Sequence, residues 1–338
     1  MARRVRRAPR RRPGGFIKLD INPEPAPMTH ITTEEGLPTG QRVLVFWPHS
    51  DDGMYSGATL AFMNARELET KKRKNRVKIA MVSPGYKGVH GEGTPKEKSE
   101  RRWAEAVAAG YMLGFDENKH MINFNAVKTY RERRIHKADQ RRMDALVRRE
   151  APTLVMLPST LDTEQEININ TRRMVMRSLR RWLSREYAAG RRGHVVIMEY
   201  PTNHVPLLTP SARNYAIEFT HPGHVTMKHE ANKAHMSQDD RHLWQRGKFV
   251  EAEQTLREAD QLDHMRRLSR KTERNLRGLD IDPNTGRGEE YLLTRLGVEM
   301  KRGKPVMVHR MLKTPLSASD RRMLGIRIPA MNEPKKGR

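Results

Sequence analysis

The sequence predicts an α/β protein with a Rossmann-like, mostly parallel sheet flanked by helices, a long helical C-terminal insertion and basic tails. Short apolar runs alternate with helical segments over the first two thirds of the chain, which is typical of a doubly wound parallel sheet. Hydrophobic residues make up 36% of the 338 residues, enough for a core. The formal net charge is +25, and such a charge favours a polyanionic partner.

The first segment, residues 1–40, is predicted to be a basic disordered arm followed by a lead-in loop. Residues 1–15 are rich in arginine, proline and glycine and contain no acidic residue, so they offer little to pack into a core. We predict that the arm binds nucleic acid, and a merely solubilising tail is the alternative. The candidate nucleic-acid-binding residues are Arg3, Arg4, Arg6, Arg7, Arg10, Arg11 and Arg12.

The α/β domain is predicted to span residues 41–238. Apolar runs flanked by turn residues predict its strands, and longer amphipathic stretches predict its helices. The predicted strands are residues 43–47, 77–82, 121–124, 153–157, 194–198 and 215–219. The predicted helices are residues 56–71, 96–113, 130–150 and 171–185.

The remainder of the chain is predicted to be a helical extension followed by a basic tail. Apolar residues recur every three or four positions from Phe249 to Leu268, which indicates a long helix. With a further predicted helix at residues 290–300, residues 239–300 form a helical extension that returns to the domain. Residues 301–338 are predicted to be a basic tail.

The candidate site follows the first predicted strand, in the stretch V-L-V-F-W-P-H-S-D-D-G. Open α/β sheets bind ligands at the carboxyl ends of their strands. His49 and Asp52 are spaced to bind one divalent metal ion, and Asp51 stands beside them as a candidate general base for metal-bound water. The alternative is a turn whose aspartates only cap the following helix.

This stretch resembles the signature P-H-P-D-D-E of the N-acetylglucosaminyl-phosphatidylinositol de-N-acetylases, the PIG-L or LmbE-like family. Residues 48–53 here read P-H-S-D-D-G. The family's R-x-x-E helix ending in Leu-Gly is similar to Arg102, Glu105, Leu113 and Gly114. Its K-x-x-A-x-x-x-H-x-S-Q segment is similar to residues 229–238, and a late E-x-F patch to residues 289–291. The resemblance runs from about residue 42 to residue 295.

The resemblance implies a metal-dependent hydrolase that removes an acetyl group from an N-acetylated amino sugar or a related amide, with metal-bound water as the nucleophile. It implies Zn²⁺, or another divalent cation, held by His49, Asp52 and Asn170, with Asp51 as the base. Arg102 would bind substrate hydroxyls or phosphate, the alternative being an ion pair with Glu105.

The sequence departs from the family pattern at two places. Gly53 stands where the signature has glutamate, and Ile167 and Asn170 stand where two histidines are expected in the loop at residues 158–170. An amide oxygen is a poor zinc ligand, so a site completed by Asn170 is expected to bind weakly or to prefer a harder cation. The other candidate ligands are Glu164, Glu166, His204, His221 and His224.

A second interpretation keeps the fold but not the catalysis: a catalytically degraded PIG-L-like fold serving as a basic nucleic-acid-binding or assembly-scaffold protein. The chain has no cysteine, which excludes disulfides and thiolate metal sites and fits a reducing compartment. No apolar run is long enough to cross a bilayer and the basic N-terminus lacks a signal-like apolar segment, so a cytoplasmic protein is expected.

Overall fold

The computed structural model describes most of the α/β domain and parts of the C-terminal segment. The described residues are 30–32, 36–64, 74–89, 91–159, 165–191, 193–200, 215–218, 226–228, 230, 231, 234, 235, 237, 288–302, 304–312 and 316–326. The arginine arm and most of the predicted helical extension lie outside these residues, and so do the candidate ligands Glu164, His204, His221 and His224.

Nine strands and seven α-helices are assigned among the described residues. The strands are β1 His30–Thr32, β2 Arg42–Trp47, β3 Arg76–Met81, β4 Met121–Asn123, β5 Leu154–Pro158, β6 His194–Tyr200, β7 Tyr215–Glu218, β8 Gly288–Lys301 and β9 Lys304–Met311. The helices are α1 Gly57–Asn64, α2 Pro95–Met112, α3 Glu117–His120, α4 Val127–Glu132, α5 Lys137–Glu150, α6 Glu166–Ala188 and α7 Ala318–Leu324. Short 3-10 helices cover Asp51–Ser56 and Tyr86–Gly88.

The strands form one mixed sheet, which confirms the predicted Rossmann-like, mostly parallel α/β fold. The order is β1-β7-β8-β6-β5-β2-β3-β4, with β9 paired to β8. The central block from β6 to β4 is parallel, whereas β8 is antiparallel to β6, β7 and β9. The chain moves from β2 outward to β4 and then crosses back to β5 on the other side of β2. The ends of β2 and β5 therefore meet at a topological switch point, where ligands bind in such sheets.

Strand β2 is buried on both faces, as its continuous apolar sequence predicts. Val43, Val45 and Trp47 belong to one core cluster, which also contains residues of α1, α2 and α7. Leu44 and Phe46 belong to a second cluster on the other face, under α5 and α6. Because helices cover both faces of the sheet, the polar side chains that follow β2 lie at the carboxyl ends of the parallel strands.

The helix predicted at residues 290–300 is wrong, because this segment is the long strand β8. The spacing of Leu292, Leu293 and Leu296 fits one face of a helix, and a helix is therefore predicted from the sequence. The same segment also carries Tyr291, Thr294 and Val298, which favour strands. Its backbone pairs with β6 on one side and β9 on the other, and this pairing decides the conformation.

The segment predicted as a basic tail contains ordered elements. Residues 304–311 form β9 and residues 318–324 form α7. Leu312, Leu316 and Leu324 are buried, and the Thr39 hydroxyl donates to the Gly325 carbonyl oxygen at 2.8 Å. Leu312, Leu316 and Leu324 therefore belong to the core cluster that also contains residues of α1 and α2.

Of the helices that the structure describes, none combines the length and the apolar character needed to cross a lipid bilayer.

Candidate active site

The turn after β2 brings an imidazole and two carboxylates together. The His49 backbone N–H donates to Asp52 Oδ2 at 2.7 Å, and His49 Nδ1 lies 3.2 Å from the same oxygen. Asp52 is buried, while the Asp51 side chain is 30% exposed. The turn therefore holds Asp52 inside the protein and leaves Asp51 partly exposed.

His49, Asp51 and Asp52 fit a divalent cation. One potential ligand atom from each residue lies within 4.8 Å of the others. Two ligands that each lie about 2.0–2.1 Å from a tetrahedral zinc ion are about 3.3 Å apart, close to the 3.2 Å between His49 Nδ1 and Asp52 Oδ2. Imidazole nitrogen and carboxylate oxygen are also ligands that zinc accepts.

Helix α2 supplies Arg102 to this cluster. A capping box between Thr94 and Glu97 begins the helix, and two turns later Arg102 is buried with its Nη2 atom 3.1 Å from Asp51 Oδ1. The ion pair of Arg102 is thus with Asp51. Its Nε and Nη1 atoms are buried without a hydrogen-bond partner among the described residues, so the guanidinium keeps unused donors beside Asp51.

The two neighbouring carboxyl groups have opposite pKa shifts. Burial raises the pKa of Asp52, and this effect outweighs the hydrogen bond and charge of His49. Burial also acts to raise the pKa of Asp51, but the charges of Arg102, His49 and His235 together leave that pKa below its usual value. Asp51 is therefore ionised at neutral pH, as a proton acceptor must be.

A segment distant in sequence contacts α2 close to the same cluster. Glu105, one turn after Arg102, accepts hydrogen bonds from the Ser237 backbone N–H at 2.6 Å and from the Ser237 hydroxyl at 2.9 Å. His235 is 1% exposed. Burial, the largest influence, lowers the pKa of His235 to about 4; Asp51 opposes this shift and Arg102 adds to it. The sequence of this segment fits the family pattern, but it indicates neither the burial of His235 nor the contact between Glu105 and Ser237.

The structure explains why glycine stands where the family signature has glutamate. A Cβ atom added to Gly53 would lie 2.1 Å from Cε2 and 2.3 Å from Cζ2 of Trp47. Trp47 is fully buried at the end of β2, so its ring occupies the space that a side chain at position 53 would need.

The third ligand proposed from the sequence, Asn170, lies in the second turn of α6 and is buried. Its Nδ2 atom donates to the Arg133 carbonyl oxygen at 3.2 Å. Glu166, an alternative ligand, is largely exposed and lies 3.6 Å from Arg133. Ligation by Asn170 therefore stays a prediction, and Glu166 has a cation partner of its own.

Comparison with known proteins confirms the resemblance over part of the chain. Residues 44–177 match the family model described as PIG-L, GlcNAc-PI de-N-acetylase. This range contains His49, Asp51, Asp52, Arg102 and Asn170. No curated protein matches the chain.

Several solved structures resemble the fold at low identity. An N,N'-diacetylchitobiose deacetylase from Pyrococcus horikoshii is 16% identical with a TM-score of 0.48, covering 75% of this chain and 84% of that one. A 4-carboxy-2-hydroxymuconate hydratase from Pseudomonas putida is 16% identical with a TM-score of 0.49, covering 77% and 98%. A conserved protein from Thermus thermophilus is 21% identical with a TM-score of 0.46, covering 74% and 93%. At these scores the likenesses carry no argument about activity.

Proposed function

We propose that this protein is a metal-dependent hydrolase that deacetylates an N-acetylated amino sugar or a related amide. The proposal starts from the match of residues 44–177 to the family model described as PIG-L, GlcNAc-PI de-N-acetylase. The family match supports a de-N-acetylase-like hydrolase. The observation that carries the finer proposal is the cluster of His49, Asp51 and Asp52 at the switch point of the sheet.

His49 and Asp52 are the residues that would hold the divalent cation, with Asn170 as the proposed third ligand. When bound, such a cation supplies Lewis-acid activation of water and of the acetamide carbonyl group. Asn170 is a neutral ligand, so this site is expected to hold zinc less tightly than a site with two histidines and one aspartate.

Asp51 is the proposed general base. It is ionised and partly exposed, and it accepts the proton of the water that attacks the acetamide carbon. Arg102 holds Asp51 through a 3.1 Å contact. Two guanidinium nitrogens of Arg102 have no partner among the described residues. They would donate to a hydroxyl or phosphate oxygen of the substrate, which supports the assignment of Arg102 to substrate binding.

Metal titration combined with acetate release tests this proposal. Purified protein is expected to bind one zinc or other divalent ion and to release acetate from at least one compound in a panel of N-acetylglucosamine, its phosphate derivatives and N,N'-diacetylchitobiose. His49→Ala and Asp52→Ala should each weaken metal binding by more than about 100-fold, since even partners of the ligands contribute 10–100-fold.

Asn170→Ala and Glu166→Gln compare the two candidate third ligands that the structure describes. The proposal expects a loss of metal affinity for Asn170→Ala and none for Glu166→Gln. His120→Gln, on α3, is the control. Absence of stoichiometric metal together with absence of acetate release would contradict the proposed function.

We also propose that a basic surface of the same protein binds nucleic acid, independently of hydrolysis. Helices α5 and α6 pack side by side over one core cluster, and their outer sides are exposed. Basic residues on this surface and on the neighbouring α4 have no ion-pair partner among the described residues. These residues, which we call the basic face, are Arg131, Lys137, Arg141, Arg148, Arg173, Arg177 and Arg185.

Charge supports this second proposal, because exposed and unpaired cations release counterions when they contact phosphates. Replacing Arg141, Arg173 and Arg177 with glutamine is expected to make the slope of log K against log salt shallower by about 2 for single-stranded RNA. Fluorescence anisotropy between 50 and 200 mM salt (about the range over which such slopes are measured) provides the readout.

The matched control replaces three exposed basic residues elsewhere, Arg101, Arg302 and Lys304. An unchanged slope in the triple variant of the basic face, or equal changes in both triple variants, would contradict a specific role of the basic face. Deleting residues 1–15 tests the predicted contribution of the arginine arm in the same assay.

A further inference from the structure

His235 is a buried polar group with no bonding partner among the described residues. Its side chain is 1% exposed, and neither ring nitrogen has a hydrogen-bond partner in the part of the chain that the structure describes. Buried polar side chains almost always have such partners, and exceptions need an explanation. A neutral imidazole carries one N–H and one nitrogen lone pair, so both groups of His235 are available to a bound molecule that reaches the ring.

The surroundings of His235 place it next to the candidate active site. Asp51 raises the pKa of His235 and Arg102 lowers it, so both residues lie near the imidazole. Two residues later, Ser237 makes two hydrogen bonds to Glu105 on α2. Glu105 and Arg102 are one helical turn apart, so this double contact fixes the segment of His235 against the part of α2 that holds Asp51.

His235 is not a member of the metal cluster. The group whose potential ligand atoms all lie within 4.8 Å of one another consists of His49, Asp51 and Asp52 among the described residues. His235 thus lies outside that group, but close enough to Asp51 and Arg102 for both to act on its pKa.

We propose that His235 is a catalytic residue whose imidazole N–H donates a hydrogen bond to the acetamide oxygen of the substrate as negative charge develops on it. In this step the water oxygen bonds to the carbonyl carbon, the π electrons of the C=O bond move to the oxygen, and Asp51 takes the proton. This inference rests on the proposed function. It assigns the oxygen-stabilising donor to a segment far from the loop at residues 158–170, which lacks histidine.

Two features of the structure favour this assignment. A preorganised donor in a buried site stabilises a developing oxyanion strongly, because no solvent needs to reorganise. Burial also keeps the imidazole neutral, so it can donate one N–H without placing a second positive charge beside Arg102. An unsatisfied polar group is retained where catalysis requires it, at the expense of stability.

The test compares His235→Leu and His235→Gln with wild type in acetate release, metal binding, melting temperature and binding of a tetrahedral phosphonamidate analogue of N-acetylglucosamine. For His235→Leu we expect a fall in kcat of about 10²–10³-fold, the usual effect of losing one such donor. KM and metal affinity should change less than about threefold, which is small beside the expected fall in kcat. His235→Gln retains an N–H donor and should recover part of kcat.

Melting temperature separates catalysis from structure. Replacing an unpaired buried polar group with an apolar one of similar size is neutral or stabilising, so His235→Leu should melt at the wild-type temperature or above it. His309→Gln is the matched control, because His309 is a half-buried histidine whose pKa is also lowered to about 4, mainly by burial. It lies on β9 and contacts Thr294, and its replacement should leave kcat unchanged.

Analogue binding gives a result without turnover. His235→Leu should bind the tetrahedral analogue at least about tenfold more weakly than wild type while binding N-acetylglucosamine equally, as expected for a donor that acts in the transition state. Equal affinity for the analogue, or a kcat within about threefold of wild type, would overturn the inference while the proposed function stands. If wild type neither releases acetate nor binds the analogue, the proposed function fails and the inference falls with it.

Discussion

Replacing Asp51 with asparagine is expected to lower kcat for acetate release by about 10²–10⁴-fold, the usual contribution of a positioned general base. Asparagine has nearly the same shape as aspartate but cannot accept the proton of the attacking water. Its amide oxygen can still accept the hydrogen bond from Arg102 Nη2, which spans 3.1 Å in the wild type. The buried guanidinium therefore keeps a partner, and the fold is expected to survive the change.

Metal affinity and melting temperature are the companion measurements for Asp51→Asn. Metal binding should change far less than in His49→Ala or Asp52→Ala, because Asp51 is proposed to stand beside the ion and not to ligate it. Two outcomes would refute the assignment of Asp51 as the base. One is an unchanged kcat with metal still bound, and the other is loss of the metal itself, which would make Asp51 a ligand.

Adding a side chain at Gly53 is expected to destabilise the protein, and a glutamate more than an alanine. The Cβ atom would lie 2.1 Å from a ring atom of fully buried Trp47. Overpacking of this kind costs about 1–3 kcal/mol of unfolding free energy, and more where the neighbour cannot move. Urea unfolding of Gly53→Ala and Gly53→Glu measures the loss.

A double-mutant cycle with Trp47→Val identifies the cause. Trp47→Val alone should cost about 3–5 kcal/mol, by analogy with large-to-small core substitutions. It also removes the ring that meets the new side chain, so Gly53→Glu should be less destabilising in the Trp47→Val background. A coupling energy of at least about 1 kcal/mol is expected for residues in such contact. Additive effects would show that the Trp47 ring does not exclude a side chain at position 53.

The Trp47 contact bears on how far this chain departs from the family signature. In the sequence, Gly53 indicates only that the glutamate of the family signature is missing. In the structure, position 53 has no room for that group as long as Trp47 fills the end of β2. Trp47 and Gly53 are only six positions apart in the sequence. Their dependence on each other is visible only in the structure, where the Trp47 ring packs against the Cα of Gly53.

Much of the fold was predictable from local patterns. Strands β2, β3, β5 and β6 are continuous apolar runs, and α2 begins at a capping box and buries one face. Strand β8 was predicted as a helix because apolar residues at 292, 293 and 296 fit either period. Its conformation is decided by its pairing with β6, which lies far away in the sequence, and with β9, which follows it.

By itself, the sequence determined that the candidate site is the turn of His49, Asp51 and Asp52. These residues are nearly contiguous and directly follow a buried strand, and both properties are local. The partners of this turn were decided by tertiary structure alone. Arg102 pairs with Asp51, Ser237 bonds to Glu105 and His235 is buried without a partner among the described residues, because α2 and a segment more than 120 residues further on meet at the switch point of the sheet. Contacts between segments so far apart depend on the packing of the whole domain, which no local pattern of residues encodes.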